Sequence, residues 1–274
     1  MPPIPKSGIY TLVRVISSAL NPADYKVMDY PRPIPRIVMG PSPVTPGADF
    51  VGRVWQTTHP DLKAGDLCWG KLLTPTKYGT CAEFTLHTGE HGIAKVPDGY
   101  LPLTSQGRSL DELAGVGIAG LTALHALKRA DLPYNRSKGK ETRGGGKLFI
   151  NGGSGGTGTF AVQMAKAMGC DTVVASCSAA NSELVKSLGA DEVIDYRSQD
   201  VVDSLKQWSK RNGGQQFDAI IDNVGNNADI YWNCHEYLKS SGGIYIGVAV
   251  EFSSDTDCAL NTFLAPGDCQ PGLR

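Results

Sequence analysis

Residues 147–250 alternate between short apolar runs and amphipathic stretches, joined by connections of only a few residues. KLFING, DTVVASC, DEVIDY, FDAIIDNVG and GGIYIGVAV are rich in β-branched and aromatic residues and read as strands. Between them, GTFAVQMAKAMG, NSELVKSLGA, SQDVVDSLKQWSK and NADIYWNCHEYLKS place apolar residues at helical spacing. Strands that are apolar throughout and separated by helices predict a parallel sheet covered on both faces. Right-handed crossovers then bring the C-terminal end of every strand to one edge, where such sheets bind ligands.

The first strand-to-helix turn lies in FINGGSGGTGTFAVQMAK, residues 149–166, and two motifs overlap there. Gly152-Gly153-Ser154-Gly155-Gly156 spells GxSxG, a nucleophile elbow, and Gly153-Ser154-Gly155-Gly156-Thr157-Gly158 spells GxGxxG, a dinucleotide fingerprint. A hydrolase needs an acid and then a histidine downstream of the serine. Only His235 follows, inside the amphipathic run NADIYWNCHEYLKS, where a helix-face histidine is the simpler reading. The dinucleotide reading uses more of the residues: Gly153 for the tight turn, Gly155 for close approach of backbone to pyrophosphate, and Gly158 for packing helix on strand. Ser154 and Thr157 then become donors beside the phosphates, at a helix N-terminus whose free N–H groups and dipole favour anions. A dinucleotide site is the expectation.

The end of the second strand bears on which nucleotide binds. Sites that prefer NAD place an acid there for the ribose 2′-hydroxyl. Asp171 opens this strand, at the opposite edge, whereas its far end reads Ser176-Cys177-Ser178. A 2′-phosphate would meet no carboxylate and could bond to Ser176, Ser178 and Asn181, with Tyr196 packing nearby. NADP(H) is therefore expected, without an evident arginine clamp.

Upstream, residues 10–97 form short alternating runs (IYTLVRVIS, DFVGRVWQ, DLCWG, TCAEFTL, GIAKVP) among Gly and Pro, which predicts a mostly β unit. Helical spacing begins near Leu110, and the basic, Gly-rich residues 134–146 read as a surface loop. A chain of 274 residues with 41% hydrophobic content can build two such domains. A net charge of −1 argues against binding nucleic acid through charge. MPPIPKSG carries no signal-like apolar core, and no apolar run is long enough to span a bilayer. Cys68, Cys81, Cys170, Cys177, Cys234, Cys258 and Cys269 lack CxxC spacing and read as reduced thiols. A cytoplasmic protein is expected.

NPADYK at residues 21–26, PGADFVG at 46–52, GIAGLTALHAL at 117–127, GGSGGTG at 152–158 and LVKSLGADEVIDY at 184–196, taken in this order, resemble the medium-chain dehydrogenase/reductase superfamily over residues 5–250. Within it the chain is similar to the zinc-independent quinone oxidoreductases, including fungal enoyl reductases that serve polyketide pathways. The resemblance implies an α/β protein with a GroES-like β domain over residues 1–109. It joins a Rossmann doubly wound parallel sheet over residues 110–274, with NADP(H) in the cleft. It also implies that Asn21 and Lys26 face the nicotinamide and substrate, with Tyr25 a candidate proton donor, and that Thr122, Asn223, Gly247 and Val248 contact the nicotinamide.

Zinc is not expected. Gly47-Ala48-Asp49 stands where zinc-dependent relatives carry GHE, NPAD stands where they carry a ligand cysteine, and the multi-cysteine lobe is missing. His87-Thr88-Gly89-Glu90-His91 matches HxxEH of inverted metalloproteases, but it follows a strand and contains Thr-Gly, so it reads as a loop. Without zinc, the expected acceptor is already activated: an enone, an enoyl group or a quinone. A second copy of the chain or a pathway synthase is the expected protein partner. Relative to the family, the opening strands and a closing segment are missing. A chain shortened at both ends is thus implied, and a cofactor-binding but non-catalytic subunit is the alternative function.

Overall fold

The structure, a computed structural model, describes residues 1–29, 44–72, 77–98, 109–131 and 145–248 together with the strand Phe263–Leu264. Most of the Pro-rich loop at 31–47 and most of the basic loop at 134–146 lie outside the described residues. Two compact units divide between Leu121 and Thr122.

The first unit holds a five-stranded antiparallel sheet in the order β4-β1-β2-β3-β5. These strands are β1 (Tyr10–Ala19), β2 (Asp49–Thr57), β3 (Leu67–Lys71), β4 (Phe84–Thr88) and β5 (Ile93–Lys95). Helix α1 (Pro22–Asp29) follows β1 directly. Successive β2 residues point to opposite faces, and both faces are buried over Asp49–Gly52. Phe50 and Val54 pack with Val13, Cys68 and Ile93, while Val51 packs with Val96 and with Leu110, Leu113 and Ala114 of α2 (Leu110–Ala114). Ser109 starts α2, its hydroxyl accepting from the Asp111 amide at 3.1 Å. Helical structure thus begins at Leu110, but α2 packs with the β unit. The compact division falls later, within α3 (Gly117–Arg129).

The second unit holds a six-stranded sheet made of β6 (Lys147–Asn151), β7 (Thr172–Cys177), β8 (Glu192–Asp195), β9 (Ala219–Asp222), β10 (Ile244–Gly247) and β11 (Phe263–Leu264). Their order is β11-β10-β9-β6-β7-β8. All pairings are parallel except β10 with β11. Alternate residues of one strand feed the two covering layers. Leu148, Ile150, Val173 and Ala175 pack against Ala161, Val162 and Ala165 of α4 (Gly156–Ala167), with Leu127 of α3 in the same cluster. Phe149, Val174 and Ile220 meet Val202, Leu205 and Trp208 of α6 (Val201–Arg211), and Trp208 stacks on Phe217 at 4.3 Å between ring centroids. Each buried Leu, Ile, Val or Phe among them contributes roughly 1.5–3 kcal/mol. Helix α5 (Ser182–Ser187) connects β7 to β8.

The last expected helix is shorter than its periodicity suggests. NADIYWNCHEYLKS forms α7 (Ala228–Trp232) and a 3-10 turn, Cys234–Glu236. The chain then turns extended, because Phe217 N–H donates to Tyr237 O at 2.8 Å and Lys239 N–H to Phe217 O at 3.0 Å. The buried Tyr237 hydroxyl donates to Ile230 O at 2.5 Å and fixes that exit.

Candidate functional site

The chain runs from β6 out to β7 and β8 on one side, then returns to place β9 on the other side of β6. The strand order thus reverses between β6 and β9, and the crevice at their C-terminal ends is where open α/β sheets bind ligands. The glycine-rich residues 152–158 follow β6 at this point. Gly152 adopts φ +78, a left-handed conformation that favours glycine. A Cβ on Gly158 would lie 2.1 Å from Gly152 O, so only glycine lets α4 come this close to the turn.

Helix α4 begins at Gly156 with Gly155 as N-cap, and no side chain of the turn bonds its first amides. No acidic residue occupies its first turn. Gly155 and Gly156 are exposed, and a Cβ on Gly155 would meet nothing nearer than Gly152 O at 3.4 Å. The result is an exposed fan of uncapped N–H groups at a positive dipole end. Ser154 and Thr157 flank it, half-buried. Asn181 Nδ2 donates to Ser154 Oγ at 3.3 Å, bringing the loop after β7 to the glycine turn.

Ser176 holds a different position from the one expected. It is 1% exposed, and its hydroxyl donates to Asn151 Oδ1 at 2.5 Å while accepting from Gly152 N–H at 2.9 Å. Both hydroxyl functions are engaged beneath the turn, so Ser176 supports the turn and does not reach outward. Ser178 is also buried, whereas Asn181 and Tyr196 are exposed. Asp195 ties their loops together, its Oδ1 accepting from Ala179 N–H and Arg197 N–H, each at 3.1 Å. These bonds and the Ser198 hydroxyl, which contributes most, hold the Asp195 carboxyl below the ordinary carboxylate range. The Arg197 guanidinium lies 6.0 Å from the Tyr196 ring centroid. Sequence reasoning passed over this arginine because it lies beyond the strand end, where only Tyr196 drew notice.

Asn223 follows β9, and its N–H and Nδ2 both donate to Asn151 O, at 3.2 and 3.1 Å. Its Oδ1 is buried and accepts no hydrogen bond. Gly247 ends β10, and Val248 N–H donates to Asp222 O at 2.8 Å. The glycine turn, Asn223 and Val248 therefore share one edge of one sheet. Thr122 is half-buried on α3.

In the first unit, Asn21 immediately precedes α1. Pro22 takes the first helical position and Asp24 Oδ2 accepts from Asn21 N–H at 2.7 Å. Asn21 Nδ2 donates to Asp49 Oδ2 at 2.9 Å, and Asp49 accepts the Ile118 amide at 2.9 and 3.0 Å. Asp49 is fully buried, which raises its carboxyl above the ordinary value. Tyr25 and Lys26 are exposed on α1.

The competing motifs do not assemble. Ser154 bonds to an asparagine, and His235 sits in the 3-10 turn after α7. His87 is 1% exposed near the end of β4, and His91 is exposed in the following bend, so the pair does not share a helix. Among the described residues, no group of three His, Cys, Asp or Glu could hold a metal ion. Burial pushes the Cys68 and Cys170 thiols up to about 12, which leaves them inert at neutral pH. No helix among the described residues is long and apolar enough to cross a membrane.

Comparison with known proteins agrees with this geometry. Residues 156–266 match the family described as zinc-binding dehydrogenase. The chain is 40% identical over 244 residues to a trans-enoyl reductase, pgmF, of Aspergillus terreus, covering 86% of this chain and 61% of that protein. It is 36% identical over 219 residues to a mitochondrial NAD(P)H oxidoreductase of Mus musculus, covering 78% of this chain and 49% of that one. The chain thus spans less than two thirds of the length of these relatives. The quinone oxidoreductase from Coxiella burnetii shares the fold with a TM-score of 0.68 at 28% identity, over 88% of this chain and 68% of that one. Together with the strand order and the glycine turn at its switch point, these similarities make the chain a member of the medium-chain dehydrogenase/reductase superfamily, in the branch that holds the quinone oxidoreductases and enoyl reductases.

Proposed function

We propose that the chain binds NADP(H) at the edge of the second unit and acts as a zinc-independent reductase of an activated double bond or quinone. The observation that carries this reading is the uncapped N-terminus of α4 beside Gly155, at the switch point of the sheet. A pyrophosphate fits there on three counts: the amides lack side-chain partners, no carboxylate stands in the first helical turn, and the space over Gly155 is open. Asn223 Oδ1, buried and without a donor, suits a carboxamide N–H. For a 2′-phosphate, the exposed Asn181, Tyr196 and Arg197 are the proposed contacts. Ser178 and Ser176 are too buried to lead.

When bound, NADP(H) supplies the hydride. The chain's own contribution is to hold it by the backbone N–H groups at the start of α4. In the first unit, Asn21 and Lys26 are the proposed donors to a carbonyl oxygen that gains charge, and Tyr25 is the proposed source of the returning proton. Asp49 takes both Asn21 and Ile118 as partners, so its carboxylate is occupied with orienting Asn21, which supports a zinc-free chemistry. The names of the relatives support an enoyl, enone or quinone acceptor, and the scattered thiols support a cytoplasmic setting.

The test is NADPH consumption against a panel of enones, enoyl thioesters and quinones, with and without a chelator. Turnover that survives chelation is expected. Turnover abolished by the chelator and restored by zinc would contradict the zinc-free reading. Tight NADPH binding with no turnover on any member would leave a cofactor-binding subunit in its place.

A further inference from the structure

Beneath the glycine turn, four side chains form one continuous hydrogen-bonded chain across the sheet. Gly152 N–H donates to Ser176 Oγ at 2.9 Å, the Ser176 hydroxyl donates to Asn151 Oδ1 at 2.5 Å, and Asn151 Nδ2 donates to Asp222 Oδ1 at 2.8 Å. From the other side, the Tyr245 hydroxyl donates to Asp222 Oδ2 at 2.8 Å. Val224 N–H and Gly225 N–H complete the shell of Asp222 Oδ1 at 2.9 and 3.1 Å. Exposures of Asn151, Ser176, Asp222 and Tyr245 run from 1% to 8%, so none of these groups can exchange a partner for water.

Every bond in this chain points toward Asp222. A carboxylate only accepts, so Asn151 must present its NH2 to Asp222 and its oxygen to Ser176. That orientation obliges the Ser176 hydroxyl to donate to Asn151, which leaves its lone pair for Gly152 N–H. The position of the Gly152 amide, and with it the turn that Gly158 packs against, is thus set three hydrogen bonds away by one carboxylate. Bonds aligned head to tail in a low-dielectric interior also strengthen one another. The same aspartate anchors the opposite half of the edge, through its backbone O to Val248 N–H and its side chain to the loop that follows Asn223.

We propose that Asp222 is a positioning residue that, through Asn151 and Ser176, holds the glycine turn in register for the pyrophosphate and ties that register to the loop carrying Asn223. The proposal rests on the reading that this edge binds NADPH. Ser176 is the link nearest the turn and Asp222 the one that fixes direction, so their loss acts through a single path.

The test measures NADPH affinity by fluorescence titration and amide exchange over residues 152–158 without cofactor, for the whole chain and for Ser176→Ala, Asp222→Ala and their double variant. Ser176→Ala is expected to weaken NADPH by about tenfold, the loss of one buried hydrogen bond, and to speed exchange in the turn. The double variant is expected to bind no more weakly than the weaker single, because both cut the same chain. Trp208→Leu, in the core on the other face, should lower the melting temperature while leaving NADPH affinity intact. Should Asp222→Ala not melt cooperatively, Ser176→Ala alone decides. Unchanged affinity in Ser176→Ala overturns the proposal, whether or not exchange changes. Multiplicative losses in the double variant overturn it as well. A wild-type chain that binds no NADPH, but whose turn exchanges faster in Ser176→Ala, refutes the cofactor reading and leaves the structural coupling standing.

Discussion

Replacing Gly155 with alanine separates folding from cofactor binding at the site. Gly155 has φ −75 and ψ 168, extended backbone that alanine adopts freely, and its Cβ would meet only Gly152 O at 3.4 Å. The N-cap preference for glycine and the entropy alanine removes from the unfolded chain oppose each other, each below about 1 kcal/mol. The melting temperature should therefore move by less than about 4 °C. The new methyl, however, stands in the open space over the α4 amides. Loss of one charge-assisted hydrogen bond to a pyrophosphate costs about 2–3 kcal/mol, a rise in NADPH Kd of roughly 30- to 160-fold. Gly158→Ala is the contrast, since its Cβ would fall 2.1 Å from a backbone oxygen. It should cost about 1–3 kcal/mol in stability as well as the affinity. Fluorescence titration and thermal melting of both variants provide the assay. A Gly155→Ala protein that binds NADPH within twofold of the parent would refute the seating of the pyrophosphate on this turn.

Three further outcomes follow from the same geometry. Burial lowers the His87 pKa from 6.5 to about 4, so between those values the unfolded chain binds more protons than the folded one. Its contribution to stability is complete above pH 6.5 and falls by about 3 kcal/mol as pH drops to 4, a slope that His87→Leu should flatten in denaturant titrations at several pH values. Asn21→Asp would set a second carboxylate against Asp49 where an N–H now donates at 2.9 Å. It should destabilise the chain at neutral pH by about 2 kcal/mol, and a melt equal to the parent's would contradict the arrangement. Arg197→Ala, at an exposed position beside Tyr196, should weaken NADPH by about fivefold and leave NADH unchanged; equal losses for both would remove Arg197 from the 2′-phosphate contacts.

The parallel sheet and its glycine turn were legible because both are written locally. Apolar runs mark β6 to β10, and GGSGGTG falls between a strand and a helix. Helix α7 was overestimated because periodicity sees residues 227–240 as one face, while the bonds that pull Tyr237 to Lys239 into extended chain come from Phe217, far away in sequence. Ser176 and Ser178 look alike in the sequence, and only the pleat of β7 and the position of Asn151 decide that the first is locked beneath the turn. Asn151 and Asp222 carried a signal that went unused: each is a polar residue closing an otherwise apolar strand, KLFIN and AIID. The link from Asn21 to Asp49 joins residues with no shared pattern and needed the fold to appear.

The central claim is that the edge formed by residues 152–158, Asn223 and Val248 holds NADP(H). Calorimetric titration of the whole chain with NADPH and, separately, with NADH at one ionic strength tests it most directly. Saturable binding at one site per chain, tighter for NADPH than for NADH, is the predicted result. Absence of saturable heat with either nucleotide from a chain that melts cooperatively would contradict it.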